Sequence, residues 1–177
     1  MTDHGFRLFY EYTDSAPLKV DSDFSTYEPF DGQSFDFSSR RKRDGELYQE
    51  LRGQGTRHED GSGAVNYSQP EGLVFDLPKG ALFPMAHTLE ILDKAKEGKR
   101  VYSATVFDGR DEDGPVEINT FIGDTVNGLA GITPSPQIDT ALLNTPARQI
   151  RMAFFPLKSQ EADAEYEMDL VFHENGI

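Results

Sequence analysis

Cysteine is absent from this sequence, and so is tryptophan. Without cysteine the chain can hold no disulfide, Cys-ligated zinc, iron–sulfur cluster or thiol nucleophile. The same absence leaves the redox compartment unreadable. Long apolar runs are also missing. No stretch approaches the roughly 18 residues that a membrane-spanning helix needs, so no integral membrane segment is expected. The opening residues, Met1-Thr2-Asp3-His4, have neither the basic nor the apolar region of a signal peptide. The expectation is a cytosolic protein or a segment of a longer one. Positive charge is scarce: 17 Lys and Arg stand against 31 Asp and Glu, for a net charge of −14. Such a surface repels nucleic-acid phosphates and anionic headgroups, so nucleic acid is not an expected partner.

What is present is a strand pattern rich in phenylalanine. The 177 residues predict a single domain over 1–177, long enough to bury a core. There are 13 Phe and 7 Tyr. Period-2 alternation, the mark of half-buried strands, recurs along the chain. It places Phe6, Leu8, Tyr10 and Tyr12 on one face of a strand, and Phe35 with Phe37 on another. Val116, Ile118, Thr120 and Ile122 form a third set. Ile150, Met152 and Phe154 form a fourth, and Tyr166, Met168, Leu170 and Phe172 a fifth. Residues 72–77 and 101–107 read as shorter strands. Asp-Gly or Asn-Gly pairs begin at Asp31, Asp44, Asp60, Asp108, Asp113, Asn127 and Asn175. These residues tolerate the positive φ that tight hairpin turns require, so the strands are expected to pair antiparallel as a meander.

One helix interrupts this pattern, predicted over residues 84–97. Pro84 suits a first helical position and Gly98 a stop. Met85, Leu89, Leu92 and Lys96 share helical spacing, with Ile91 and Ala95 widening the stripe and Glu90 and Asp93 outside it. Residues 125–146 have no clear period, with a short helical turn expected over 138–143. The chain ends on Glu174-Asn175-Gly176-Ile177, a turn signal with no strand after it. That ending, with the abrupt strand at Gly5, predicts a chain truncated at both ends relative to its parent.

Catalytic and metal motifs do not emerge. Asp108-Gly109-Arg110-Asp111-Glu112-Asp113-Gly114 resembles a calcium loop in composition, but Arg110 and the spacing fail the EF-hand pattern, so an exposed hairpin loop is expected. Arg40-Arg41-Lys42-Arg43 continues a strand, which splits its side chains between two faces; local salt bridges are expected there. His4, His58, His87 and His173 form no ligand spacing, and a structural role is expected for each. Neither a nucleophile elbow nor a phosphate loop occurs. No cofactor, metal or enzymatic activity is expected. A curved sheet beside a helix would suit an apolar ligand, because such pockets are lined mainly by apolar and aromatic side chains.

One segment adds a resemblance. Asp76-Leu77-Pro78-Lys79-Gly80-Ala81-Leu82-Phe83-Pro84-Met85-Ala86-His87 resembles the signature of the cell-envelope integrity EipB-like proteins of alphaproteobacteria. Val106-Phe107-Asp108-Gly109, Phe121-Ile122-Gly123 and the strand from Ala164 to Phe172 resemble further family segments in the same order. The resemblance implies a non-enzymatic periplasmic protein. It implies an antiparallel spiral or half-barrel curled round a helix, similar to the lipoprotein carriers LolA and LolB. Its implied partner is a lipid or acyl ligand, or another periplasmic protein. Family members are longer, with a signal peptide and usually a cysteine pair, both absent here. The alternation then nominates Phe83, Leu89, Leu92, Val106, Phe121, Met152 and Phe154 as a ligand-binding lining. The alternative is a structural or interaction module without a ligand pocket.

Overall fold

The computed structural model describes residues 2–12, 15–127, 140–141, 143–157 and 163–173, with side chains from residue 19 onward. The predicted terminal turn at residues 174–177 and half of the 138–143 turn (138, 139 and 142) lie outside the described residues. Ten strands and one helix are present among the described residues, and all strand pairs are antiparallel. They divide into two compact units.

The first unit covers Met1–Phe83 and Phe107–Pro115. Its sheet is a six-stranded meander in chain order: β1 (Thr2–Tyr12), β2 (Ser15–Tyr27), β3 (Ser34–Arg43), β4 (Glu46–Arg57), β5 (Gly63–Gln69) and β6 (Val74–Leu77). Asp44-Gly45 closes the β3–β4 hairpin with φ of 50° and 89°, both positive as a type I′ turn requires. The core is aromatic. Phe35, Phe37, Tyr67, Phe83 and Phe107 are buried together with Leu51, Val65 and Leu77.

The alternation missed β2, β4 and β5, and β4 shows the reason. Its inward positions are Leu51, Gly53 and Gly55. A Cβ at Gly53 would lie 2.6 Å from the Phe37 ring, and one at Gly55 would lie 2.7 Å from Phe83. Glycine there gives up the side chain so that two large rings can reach the sheet. The apolar period vanishes from the sequence where the core is densest.

The second unit covers Pro84–Val106 and Val116–Ile177. It holds α1 (Pro84–Lys96), β7 (Val101–Val106), β8 (Val116–Asn127), β9 (Pro146–Pro156) and β10 (Tyr166–His173). The sheet order is β10-β9-β8-β7, again a meander. Helix α1 packs against β7 and β8. Its bounds match the predicted ones within a residue, and Gly98 follows it at φ 75°. Its buried stripe matches in part: Ile91, Leu92 and Ala95 lie where expected, and His87 takes the place of Met85 and Leu89. His87, Ile91, Leu92 and Ala95 are buried, whereas Met85 and Leu89 face solvent. Spacing by four from His87 selects the face; an imidazole counted as polar hid it.

The acidic loop is another departure from expectation. It joins β7 to β8, but its backbone is not simply exposed. Phe107, Gly109, Gly114 and Pro115 are buried in the first unit. The Tyr67 hydroxyl donates to the Asp111 carbonyl at 2.7 Å, and Arg41 donates to the Arg110 carbonyl, also at 2.7 Å. Gly109, at φ 73°, lies where a Cβ would meet the Phe37 ring at 2.7 Å. Tyr67→Phe should therefore lower stability by about 0.5–1.5 kcal/mol, the usual net value of one hydrogen bond, read by chemical denaturation. An unchanged midpoint would show that Tyr67 does not anchor the loop.

Candidate functional site

In an antiparallel pair, residues directly opposite each other share a face. Registers therefore sort the second unit's sheet into two surfaces. On one, Ile118 faces Phe154, Thr120 faces Met152, and Ile122 faces Ile150. All six are buried. Tyr102 faces Thr120 on the same surface. Its ring stacks on His87 of α1 at 6.0 Å between centroids, and its hydroxyl donates to Glu90 Oε2 at 2.6 Å. Burial pushes the His87 imidazole down to about 4, against a smaller upward pull from Glu90. Burial and the Glu90 hydrogen bond both push the Tyr102 phenol up. This surface is filled by its own side chains and by the helix.

The nominated lining residues separate accordingly. Leu92, Val106, Met152 and Phe154 are buried in the second unit. Phe83 is buried in the first, stacked on Phe35 at 5.3 Å. Leu89 is 43% exposed on the outer side of α1. Phe121 does not share a face with Met152 and Phe154. It alternates with Thr120 and Ile122, so it projects from the opposite surface and is 54% exposed.

That opposite surface carries a continuous row. Val101 faces Phe121, Phe121 faces Arg151, and Arg151 faces Asp169. The row crosses all four strands and runs from apolar to polar, with Val101 68% exposed at one end. Arg151 grips Asp169 with two hydrogen bonds, Nε to Oδ1 at 2.8 Å and Nη2 to Oδ2 at 3.1 Å. The guanidinium, chiefly through this hydrogen bond, holds the Asp169 carboxyl below its ordinary range. The pair therefore stays ionised on both sides at neutral pH.

The next row is Ser103, Asn119, Ala153 and Glu167. Ser103 donates to Asn119 Oδ1 at 2.6 Å. Beside the first row, Gly123, Gln149 and Val171 help to form an open hollow of about 670 Å³. At Gly123 a Cβ would come within 3.0 Å of the Gln149 carbonyl, so only a residue without one leaves the strands this close. Arg100, just before β7, bonds Asp124 at 2.6 Å and the Ile122 carbonyl at 3.3 Å, both on β8. Sequence reasoning named Phe121 but missed Val101, Arg151, Asp169 and Gln149. The row is a product of register, which no single strand displays.

The other motifs have structural partners. Arg40 pairs with Glu50 at 3.1 Å, Arg41 holds the acidic loop, and Arg43 lies over the Tyr48 ring at 5.0 Å. Asp108 binds Arg110 at 2.6 Å within the loop, and Asp111 accepts the Asp113 amide at 3.0 Å. His58 meets Ser62 and His173 meets Thr145, each at 3.2 Å. Among the described residues no cluster of His, Asp and Glu has metal-binding geometry, and no helix is long and apolar enough to cross a membrane.

Comparison with known proteins places these features in context. The family model described as EipB-like matches residues 1–177. The cell envelope integrity protein EipB of Brucella abortus (strain 2308) is 29% identical over 170 residues, covering 93% of this chain and 58% of its own length. This chain thus spans little more than half of that relative. A solved structure from Brucella abortus, a beta-barrel-like protein of the domain of unknown function DUF1849, superposes with a TM-score of 0.82 at 26% identity. The match covers 99% of this chain and 72% of that one.

Proposed function

Because the chain belongs to the EipB-like family, we propose that it serves cell envelope integrity in the periplasm as a non-catalytic binding protein, and that its contact surface is the exposed face of the second unit's sheet. One observation carries the reading. Phe121 and Val101 are large apolar side chains set opposite each other in the open, Phe121 lining a hollow, while Ile118, Ile122, Ile150 and Met152 nearby are buried. Exposed apolar groups gathered beside polar ones mark interaction sites more often than scattered single residues do. Five of the seven residues nominated for a sheltered lining, Phe83, Leu92, Val106, Met152 and Phe154, are buried. Their packing supports a structural role for them and favours the exposed face for binding.

The test separates the two faces. Phe121→Ser, introduced into the chromosomal gene, should leave stability within about 0.5 kcal/mol of wild type, since the ring is half exposed. It should nevertheless sensitise cells to detergents and cell-wall antibiotics as strongly as deletion of the gene. Phe154→Ala should instead act through folding, at a cost of about 3–5 kcal/mol and with a fall in protein level. Full resistance in cells carrying normal amounts of the Phe121→Ser protein would remove the exposed face from the function.

A further inference from the structure

The reading of this face as a contact surface leaves its ligand open, and the chemistry of the hollow narrows the choice. We propose that the row Val101–Phe121–Arg151–Asp169, with Asn119 and Gln149 beside it, binds a neutral glycan. The inference rests on the binding role assigned to this face.

Three features point this way. First, the hollow is open, and its apolar lining is one exposed ring, Phe121, with Leu170, Val171 and the buried Ile150 on a sheet surface. An acyl chain is held where most of its surface can be buried among apolar walls. A sugar ring needs only one apolar contact, because its C–H groups form a face that lies flat on an aromatic ring. Second, the polar groups next to Phe121 are planar: a guanidinium, a carboxylate and two carboxamides. Sugar hydroxyls project near the plane of the ring, and each both donates and accepts. Adjacent hydroxyls therefore pair with bidentate groups of this shape. Third, charge in the hollow is compensated. Arg151 is committed to Asp169 and Arg100 to Asp124. On a chain of net charge −14, an anionic ligand finds no uncompensated cation among the described residues of the hollow. A neutral ligand with many hydroxyls avoids that conflict.

The layout also suits a chain of sugars rather than one. Strands lie about 4.8 Å apart, so the four-residue row extends roughly 14 Å. Ser103 and Ala153 in the adjacent row are small, which leaves the surface beside Phe121 and Arg151 low enough for a ligand to lie across the strands.

The experiment is a titration of the purified chain with neutral tetrasaccharides of N-acetylglucosamine, of β-linked glucose and of α-linked glucose, followed by calorimetry and ligand-observed NMR. A galacturonic acid tetramer and a fatty acid serve as charged and acyl competitors. At least one neutral tetrasaccharide should bind. Phe121→Ala and Arg151→Gln should each weaken it at least tenfold, with melting temperature unchanged. Val74→Ser, at an exposed apolar position of the first unit, should leave binding intact. Absence of binding to every neutral tetrasaccharide would overturn the proposal, as would binding that Phe121→Ala does not weaken. Tighter binding of the acid or the fatty acid would overturn it too. If no glycan binds while Phe121→Ser still sensitises cells, the contact surface stands and the glycan assignment alone falls.

Discussion

Phe35→Ala should cost about 3–5 kcal/mol, the usual range for removing a fully buried phenylalanine. Phe35 is 1% exposed and touches three other rings: Phe83 at 5.3 Å, Phe37 at 5.8 Å and Phe107 at 6.2 Å. These come from β3, from the segment before α1 and from the segment after β7, so one deletion loosens three parts of the first unit. The melting temperature should fall by roughly ten degrees. The glycines of β4 sharpen the claim. Gly55→Ala should cost about 1–3 kcal/mol, because its Cβ would press into the Phe83 ring. In a Phe83→Leu background the same change should cost clearly less, since the smaller side chain vacates that space. A double-mutant cycle by calorimetry measures the difference. Purely additive costs would show that Gly55 is not there to admit the ring.

Acid should destabilise the second unit through His87. Its imidazole is held down to about 4 by burial, whereas an unfolded chain titrates it near 6.5. Between those values the unfolded state takes up a proton that the native state refuses, so stability falls as pH drops through the window. The gap of about 2.5 units corresponds to roughly 3 kcal/mol, fully lost only below pH 4. Glu90 on the same helix and Tyr102 on β7 are the titratable groups against the ring. Carboxylates elsewhere titrate in the lower part of this range, so the informative quantity is a difference. His87→Phe keeps a ring against Tyr102 and removes the titration. Its denaturation midpoint should lose less between pH 7 and pH 4.5 than that of the wild type. Parallel pH profiles would mean that His87 is accessible to protons in the native state.

The parts of this fold legible in the sequence are those where inward positions are apolar. β3, β8, β9 and β10 alternate in that way, and Pro84 and Gly98 bracket the helix. Strand β4 escaped because Gly53 and Gly55 occupy the positions that a pattern reader expects to be apolar. β2 escaped in part because its buried position at 22 is a serine. The helix was found by its ends and by Ile91, Leu92 and Ala95, but its face was set partly askew, since Met85 and Leu89 are apolar yet exposed while His87 is buried. The division into two sheets left no mark, because the turns at Asp44-Gly45 and Asp108-Gly109 look alike in sequence. One closes a tight hairpin; the other belongs to a loop held by Tyr67 and Arg41.

The candidate site was legible only through Phe121. Alternation already set Phe121 opposite Ile118, Thr120 and Ile122, which argues against a lining shared with Met152 and Phe154. Val101 and Asp169 stand at ordinary exposed positions of short strands and carry no signal alone. Their meaning comes from the pairing of β7 with β8, β8 with β9 and β9 with β10, which aligns four unremarkable residues into one row. Pairing register depends on tertiary packing as well as on local sequence.

The absence of cysteine allows the exposed face to be probed directly. A single cysteine at Ser103, beside Phe121 on that face, gives a labelling rate with maleimide in purified protein and in freshly isolated envelopes. A cysteine at Asp31, in the exposed turn of the first unit, serves as the reference. If the second sheet's exposed face is where the protein meets its ligand or partner, labelling at 103 slows several-fold in envelopes while labelling at 31 does not, and Phe121→Ser restores the fast rate. Equal rates at 103 in both preparations would contradict the assignment of function to this face.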